Sequence, residues 1–294
     1  TTLLVCCRIA SEWRQALALL NLMEDETPPN EKHWSVVISA CEGYWVQAVS
    51  LLSAACSVRM ASVFAFSSCI TACEKGKEWE RALSLLGEMS ICQLTPDVVA
   101  RNATMSACEK GKQWRVALFL LQDMRHIKLV PTVVSYGAVI SACEKRREWE
   151  HAIVLFQEMQ QYSCEVDAVV VNATISACES GGQWARAVAL LMSMSHFQLR
   201  PCVEGYNAAL AACTQAKEWE RALILLSQMV QGVCAARPSV VSWNSIIAAL
   251  DTQWSVGLAL LRHMSSLHVD ADVETLRAAS SLCEGRRTEL ASIR

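Results

Sequence analysis

The amino-acid sequence predicts an all-α solenoid of tandem helix-turn-helix repeats, and three ladders of residues predict it independently. Trp recurs at 79, 114, 149, 184, 219 and 254, Met at 89, 124, 159, 194, 229 and 264, and Cys at 73, 108, 143, 178 and 213, all in steps of 35. A fixed period of this size marks a repeat architecture, in which each unit buries its apolar face only against its neighbours. The composition agrees. With 294 residues, 53% of them hydrophobic and 19% charged, the chain is long for one compact core and comfortable for a core that grows by stacking. Six Pro and 11 Gly are too few for an all-β chain, which needs a tight turn every ~8–12 residues.

The repeats follow in order once Val133 is set as a first place. Residues 1–30 are a repeat lacking its first four places, and complete units run 31–62, 63–97, 98–132, 133–167, 168–202, 203–239 and 240–272. Residues 273–294 begin another, so the array occupies 1–294 as a single domain. Unit 31–62 is three residues short, 203–239 two long and 240–272 two short, differences that belong in turns.

Within a unit the first helix covers places such as Val134 to Lys145 and the second places such as Glu148 to Gln160. In the second helix Trp149, Ala152, Ile153, Leu155, Phe156 and Met159 form one apolar stripe at helical spacing. Basic-polar turns such as Glu74-Lys75-Gly76-Lys77 separate the two, with Gly76, Gly111 and Gly181 read as helix stops. Pro96, Pro131, Pro201 and Pro238 stand just before the next unit, where a helix cannot continue. Ala72, Ala107, Ala142, Ala177 and Ala212 in first helices face Ala82, Ala117, Ala152, Ala187 and Ala222 in second helices, small residues that permit close approach.

Fifteen cysteines would suggest a disulfide scaffold in a short secreted chain, but their period assigns them to the core instead. Cys69 and Cys73 lack the further ligands a zinc site requires, so no metal and no cofactor are expected. The Trp ladder reads as core and inter-repeat packing. No phosphate-binding loop, nucleophile elbow, HExxH or deaminase signature occurs, and an enzyme reading is not supported. No apolar run is long enough for a membrane span. The net charge of -3 counts against broad electrostatic binding of nucleic acid.

Residues 63–97 and 98–132 carry the motif V-V-x-Y-N-x-x-I-x-A, then Glu-Lys-Gly, W-x-x-A-L-x-L-L-x-x-M and Pro-Asp, in degenerate form. This resembles the pentatricopeptide repeat family, in its pure 35-residue class, over almost the whole chain. The tetratricopeptide repeat has a period of about 34 residues and its Trp early in the first helix, whereas Trp opens the second helix here. The resemblance implies a right-handed superhelix that binds single-stranded RNA on its concave face, one base per repeat. It also implies action in RNA processing, stability or translation in a mitochondrion or plastid, as a monomer, with a recruited protein as a further partner.

In the family the fifth and last places of a repeat contact the base edge. Mapped onto this sequence, the pairs are Thr1 with Asn30, Ser35 with Ser62, Ser67 with Asp97, Asn102 with Thr132, Gly137 with Asp167, Asn172 with Cys202, Asn207 with Ser239 and Asn244 with Asp272. Short donors and acceptors of this kind suit a base edge. By resemblance the preferred RNA is 5′-A-n-G-Y-n-Y-C-U-3′. An aliphatic or aromatic second place, Phe64, Val99, Val134, Val169 and Val241, would pack on the base, while Lys32, Glu204 and Glu274 depart from that pattern. Lys75, Lys110 and Lys145 would face phosphate, with Ser180 and Gln215 replacing them in later repeats.

The residues alone leave other readings open. A polar residue before a helix is also an N-cap. Lys near a helix C-terminus also complements its dipole. The alternative function is a protein-binding scaffold of the same architecture, which the negative charge favours.

Overall fold

The computed structural model describes residues 12–26, 29–162, 164–231, 237–250, 253–267, 269, 271–278 and 280. The described residues form helices and contain no strand. The second helix of each repeat opens on a tryptophan: α1 (Trp13–Glu26), α3 (Trp45–Ser57), α5 (Trp79–Ile91), α7 (Trp114–His126), α9 (Trp149–Gln161), α11 (Trp184–Ser193), α13 (Trp219–Val230) and α15 (Trp254–Ser266). The first helices are α2 (Glu31–Ala40), α4 (Val63–Gly76), α6 (Val98–Lys110), α8 (Val133–Lys145), α10 (Ala168–Ser180), α12 (Val203–Gln215) and α14 (Val240–Ala249). A short 3-10 turn, Met194–Phe197, extends α11. Relative to the sequence reading, the first helix starts one residue earlier, at Val133, and the second one residue later, at Trp149.

The chain divides into two compact units, residues up to Arg146 and residues from Arg147, so the division falls in the turn between α8 and α9. In the first unit α2, α4, α6 and α8 pack side by side, and α3, α5 and α7 each pack on their own first helix and on that of the following repeat. In the second unit α10, α12 and α14 stack in the same way, with α11 and α13 wedged behind them.

Local chemistry sets the helix starts. The residue before each of α2, α4, α6, α8 and α10 is extended and accepts a hydrogen bond from a backbone N–H in the first turn: Asn30, Ser62, Asp97, Thr132 and Asp167. Each such cap satisfies a donor that the helix itself cannot. Pro96, Pro131, Pro201 and Pro238 stand immediately before a cap, where a missing N–H costs nothing.

The helix ends agree with the glycines as stops and add a detail. Gly111 and Gly181 are the C-caps of α6 and α10, and Gly76 is the last residue of α4. The left-handed conformation falls on the next residue, Lys77 (φ 62°), Lys112 (φ 57°) and Gly182 (φ 68°), and on Arg147 and Lys217 (both φ 62°) in repeats 133–167 and 203–239. The glycines have a further cause. A Cβ at Gly76, Gly111 or Gly181 would run into the indole of Trp45, Trp79 or Trp149 in the preceding repeat. Trp45, Trp79 and Trp149 are therefore inter-repeat packing residues, half-buried against the turn of the next repeat. Arg186 adds to this packing by lying over the Trp149 ring at 4.9 Å.

The core runs between the helix pairs. The small Ala of both ladders are buried, as are Met89, Met124, Met159, Met194, Met229 and Met264. Cys73, Cys108, Cys143, Cys178 and Cys213 are buried thiols of that core. Burial pushes the Cys178 and Cys213 thiols up to about 11 and Cys108 up to about 12, as an apolar site disfavours a thiolate.

Candidate functional site

The fifth and last places of a repeat lie some thirty residues apart in sequence and meet in space. In the first unit Ser35 Oγ lies 2.8 Å from Ser62 Oγ, Ser67 Oγ donates to Asp97 Oδ1 at 3.4 Å, and Asn102 Nδ2 donates to Thr132 Oγ1 at 3.2 Å. In the second unit Asn172 Nδ2 lies 3.0 Å from Cys202 Sγ, Asn207 Nδ2 donates to Ser239 Oγ at 3.5 Å, and Asn244 Nδ2 donates to Asp272 Oδ1 at 2.9 Å. The reason is geometric. The last place caps the first helix of the following repeat, and that helix packs against the first helix carrying the fifth place. Except at Cys202, whose side chain makes no cap hydrogen bond, the cap and the paired residue are one side chain with two jobs.

Gly137 brings no side chain to its pair, and Asp167 is engaged by the Val170 N–H it caps. Asn30 caps α2 in a reciprocal arrangement with His33; its pair, Thr1, lies outside the described residues.

Each unit also exposes apolar second places. The second places Phe64, Val99, Val134, Val169 and Val241 expose between 51% and 68% of their surface, although each sits in the first turn of a packed helix. Lys32, Glu204 and Glu274 occupy the same exposed place. The Glu204 carboxyl is held below the usual carboxylate range, first by a hydrogen bond from Cys202 and then by its own backbone N–H. Where a pair and two second places meet, a cleft of about 560 Å³ opens: Lys32 and Phe64 form its sides, and Ser35 and Ser62 are among its lining residues.

Three residues with a part in this site are missed by the sequence reading. Asn102 Oδ1 accepts from Ser135 Oγ, Asn207 Oδ1 from Ser242 Oγ and Asn244 Oδ1 from Thr275 Oγ1, each at 2.6 Å. All three hydroxyl residues occupy the third place of the following repeat and are fully buried. The signal is present in the sequence. After Ser35, Ser67 and Gly137, whose side chains offer no amide, the third place is Ala65, Ala100 and Val170.

Electrostatics at the site are partly neutralised. Lys75, Lys110 and Lys145 each bind a glutamate of the preceding repeat, Glu42, Glu74 and Glu109, at 2.6, 2.8 and 2.7 Å. Gln215 continues the row by donating to Glu179 at 3.5 Å. The lysines therefore sit in inter-repeat ion pairs, an engagement the spacing alone did not reveal. The Asp272 carboxyl is held low by the Thr275 backbone N–H first, then by Asn244 and the Thr275 hydroxyl. Among the described residues no cluster of His, Cys, Asp and Glu could hold a metal, and no helix is long and apolar enough to cross a membrane.

Family models match most of the array. The PPR repeat family matches residues 131–179, the pentatricopeptide repeat domain matches 84–146 and 190–251, and the PPR repeat matches 64–93. No curated protein sequence matches the chain. Among solved structures, the maize pentatricopeptide repeat protein PPR10 superposes with a TM-score of 0.72 at 21% identity, covering 95% of this chain and 40% of its own. Its complex with an 18-nt psaJ RNA element gives 0.53 at 19% identity, covering 90% of this chain and 44% of that one. The PPR domain of Arabidopsis thaliana protein-only RNase P 1, in complex with tRNA, gives 0.54 at 14% identity, covering 61% of this chain and 95% of that one. The chain thus spans less than half of the maize protein, and these likenesses bear on the fold. With a 35-residue period, helix pairs stacked repeat on repeat and family models matching across the array, the chain belongs to the pentatricopeptide repeat family.

Proposed function

We propose that this chain binds single-stranded RNA, one nucleotide per repeat, by adsorbing each base on the exposed second-place residues and reading its edge with the fifth and last side chains. The observation that carries the proposal is the recurrence of one small device: a hydrogen-bonded polar pair at the family's base-reading places in both units, joined in repeats 63–97, 98–132, 168–202 and 240–272 by an exposed apolar second place. An exposed Val or Phe at the same place of successive repeats gains nothing in water and gains by covering a flat base. The polar pair supplies the donors and acceptors that an unstacked base needs. The solved complexes of PPR10 with an RNA element and of the protein-only RNase P 1 domain with tRNA support the same reading.

On this reading the chain acts by binding rather than by chemistry, as a monomer, and any catalytic step in RNA processing belongs to a recruited protein. Placement in a mitochondrion or plastid rests on the family alone. The direct test is fluorescence anisotropy with a single-stranded RNA of the preferred sequence and with the same strand in a duplex. Binding of the single strand but not the duplex is expected; equal or absent binding contradicts the proposal.

One observation favours a second reading, a scaffold for a protein segment. Lys75, Lys110 and Lys145 are already held by glutamates, and the chain carries a net charge of -3, so attraction for phosphate is reduced. A folded chain with no affinity for RNA would favour that reading.

A further inference from the structure

Repeats with Asn at the fifth place do not hold it alike. In three of them the amide belongs to a closed ring. Thr132, Ser239 and Asp272 donate their backbone N–H to the hydroxyl oxygens of Ser135, Ser242 and Thr275 at 3.0, 3.1 and 3.2 Å. A hydroxyl that accepts there keeps its own proton for another partner, and the nearest acceptor is the Asn carbonyl oxygen, 2.6 Å away in each case, ahead of the Asp272 carboxylate that lies 2.8 Å from the Thr275 hydroxyl. The other end of each amide donates to the last-place oxygen of Thr132, Ser239 or Asp272. Turning the Asn244 amide over would set its carbonyl against the Asp272 carboxylate. At Asn102 and Asn207 it would break the 2.6 Å bond that the Ser135 or Ser242 hydroxyl donates and would require both hydroxyls of the ring to reverse their protons, onto contacts of 3.2 Å between them.

Repeat 168–202 lacks the ring. The third place after Asn172 is Gly205, and Asn172 Oδ1 is buried without a partner. A Cβ at Gly205 would lie 2.6 Å from that oxygen, so the oxygen has moved into the space of the missing side chain.

We propose that Ser135, Ser242 and Thr275 are positioning residues that fix the amides of Asn102, Asn207 and Asn244 as donor-only readers. With Oδ1 and one Nδ2 proton consumed, what remains for a base is the second Nδ2 proton, which selects a base offering a carbonyl oxygen or bare ring nitrogen at that point. Asn172, unlocked by Gly205, can present either face of its amide, so its repeat discriminates less. The proposal rests on the RNA-reading function above and adds which residues sharpen it.

The test is equilibrium binding to RNA oligonucleotides of the selected sequence, each varied at one base. In Ser242→Ala the ratio between the best and the other bases facing repeat 203–239 is expected to fall about three- to tenfold, the usual worth of one hydrogen bond. Ser242→Thr, which keeps the hydroxyl, should hold the ratio. Gly205→Ser should sharpen discrimination at the base facing repeat 168–202, while Gly205→Ala, with the carbon but no hydroxyl, should not.

A uniform loss of affinity in Ser242→Ala with unchanged ratios, or equal behaviour of Gly205→Ser and Gly205→Ala, overturns the proposal. Hydrogen exchange of the Asn207 side-chain amide, measured without RNA, separates the two levels. Exchange that is no faster in Ser242→Ala sinks the lock itself, whereas absent RNA affinity in the unaltered chain sinks the underlying function and the proposal with it.

Discussion

Asn102 donates its amide proton to Thr132 Oγ1 at 3.2 Å, and Thr132 at the same time accepts the Ser135 backbone N–H at the start of α8. One hydroxyl thus couples a helix cap to a candidate reading pair, and the two roles predict different readouts. Thr132→Ala should cost about 1 kcal/mol of stability in urea unfolding, the usual worth of a lost cap. Thr132→Ser should recover the stability. Unchanged stability in Thr132→Ala would show that the cap contributes nothing.

Gly111 lies where Trp79 of the preceding repeat packs. Gly111 is the C-cap of α6 (φ -79°, ψ 0°), a backbone that alanine adopts without strain, so by unfolded-chain entropy alone Gly111→Ala would stabilise the chain. The indole reverses the sign: overpacking should lower stability by about 1–3 kcal/mol in urea or thermal unfolding. Stabilisation by Gly111→Ala would contradict the assignment of Trp79 to inter-repeat packing.

The Asp272 carboxyl titrates below its ordinary value near 3.8 in the folded chain. A carboxyl lowered by folding contributes stability above its ordinary value and loses it as pH falls through the folded value. In Asn244→Ala the folded value should rise but stay below ordinary, because the Thr275 backbone N–H, the largest cause, remains. Carbon-detected NMR titration of the carboxyl reads this. A value unmoved by Asn244→Ala would mean that the pair contributes nothing to the site's electrostatics.

Glu74 holds Lys110 at 2.8 Å. A partly exposed pair of this kind is worth about 0–1 kcal/mol, so Glu74→Gln should leave folding nearly unchanged. It should free the ammonium for phosphate, tightening RNA binding and steepening its salt dependence by about 0.7 for each additional phosphate neutralised. The measurement is affinity across a salt series. Weaker binding with an unchanged slope would remove Lys110 from the phosphate path.

Much of the fold was legible because a repeat multiplies every weak local signal. A single Trp or Ala means little, whereas Trp79, Trp114 and Trp149 at one spacing fix the period and the order of helices. What stayed hidden depends on atoms of the neighbouring unit. Gly76 reads as a helix stop under a local rule, but a further cause is an indole thirty-one positions earlier. Lys110 looks free for phosphate, yet the preceding repeat places Glu74 beside it. Ser135 reads as an ordinary first-turn residue, and only the packing of α6 on α8 shows that its hydroxyl reaches Asn102. The period locates such partners; the direction of each side chain does not follow from it.

Selection from a random pool of single-stranded RNA tests the central claim most directly. The account predicts enrichment of a C-U step facing Asn207 with Ser239 and Asn244 with Asp272, and a shift of the second base from U toward G in Asn244→Thr. A correctly folded chain that enriches no sequence, or a preference that Asn244→Thr leaves in place, would contradict it.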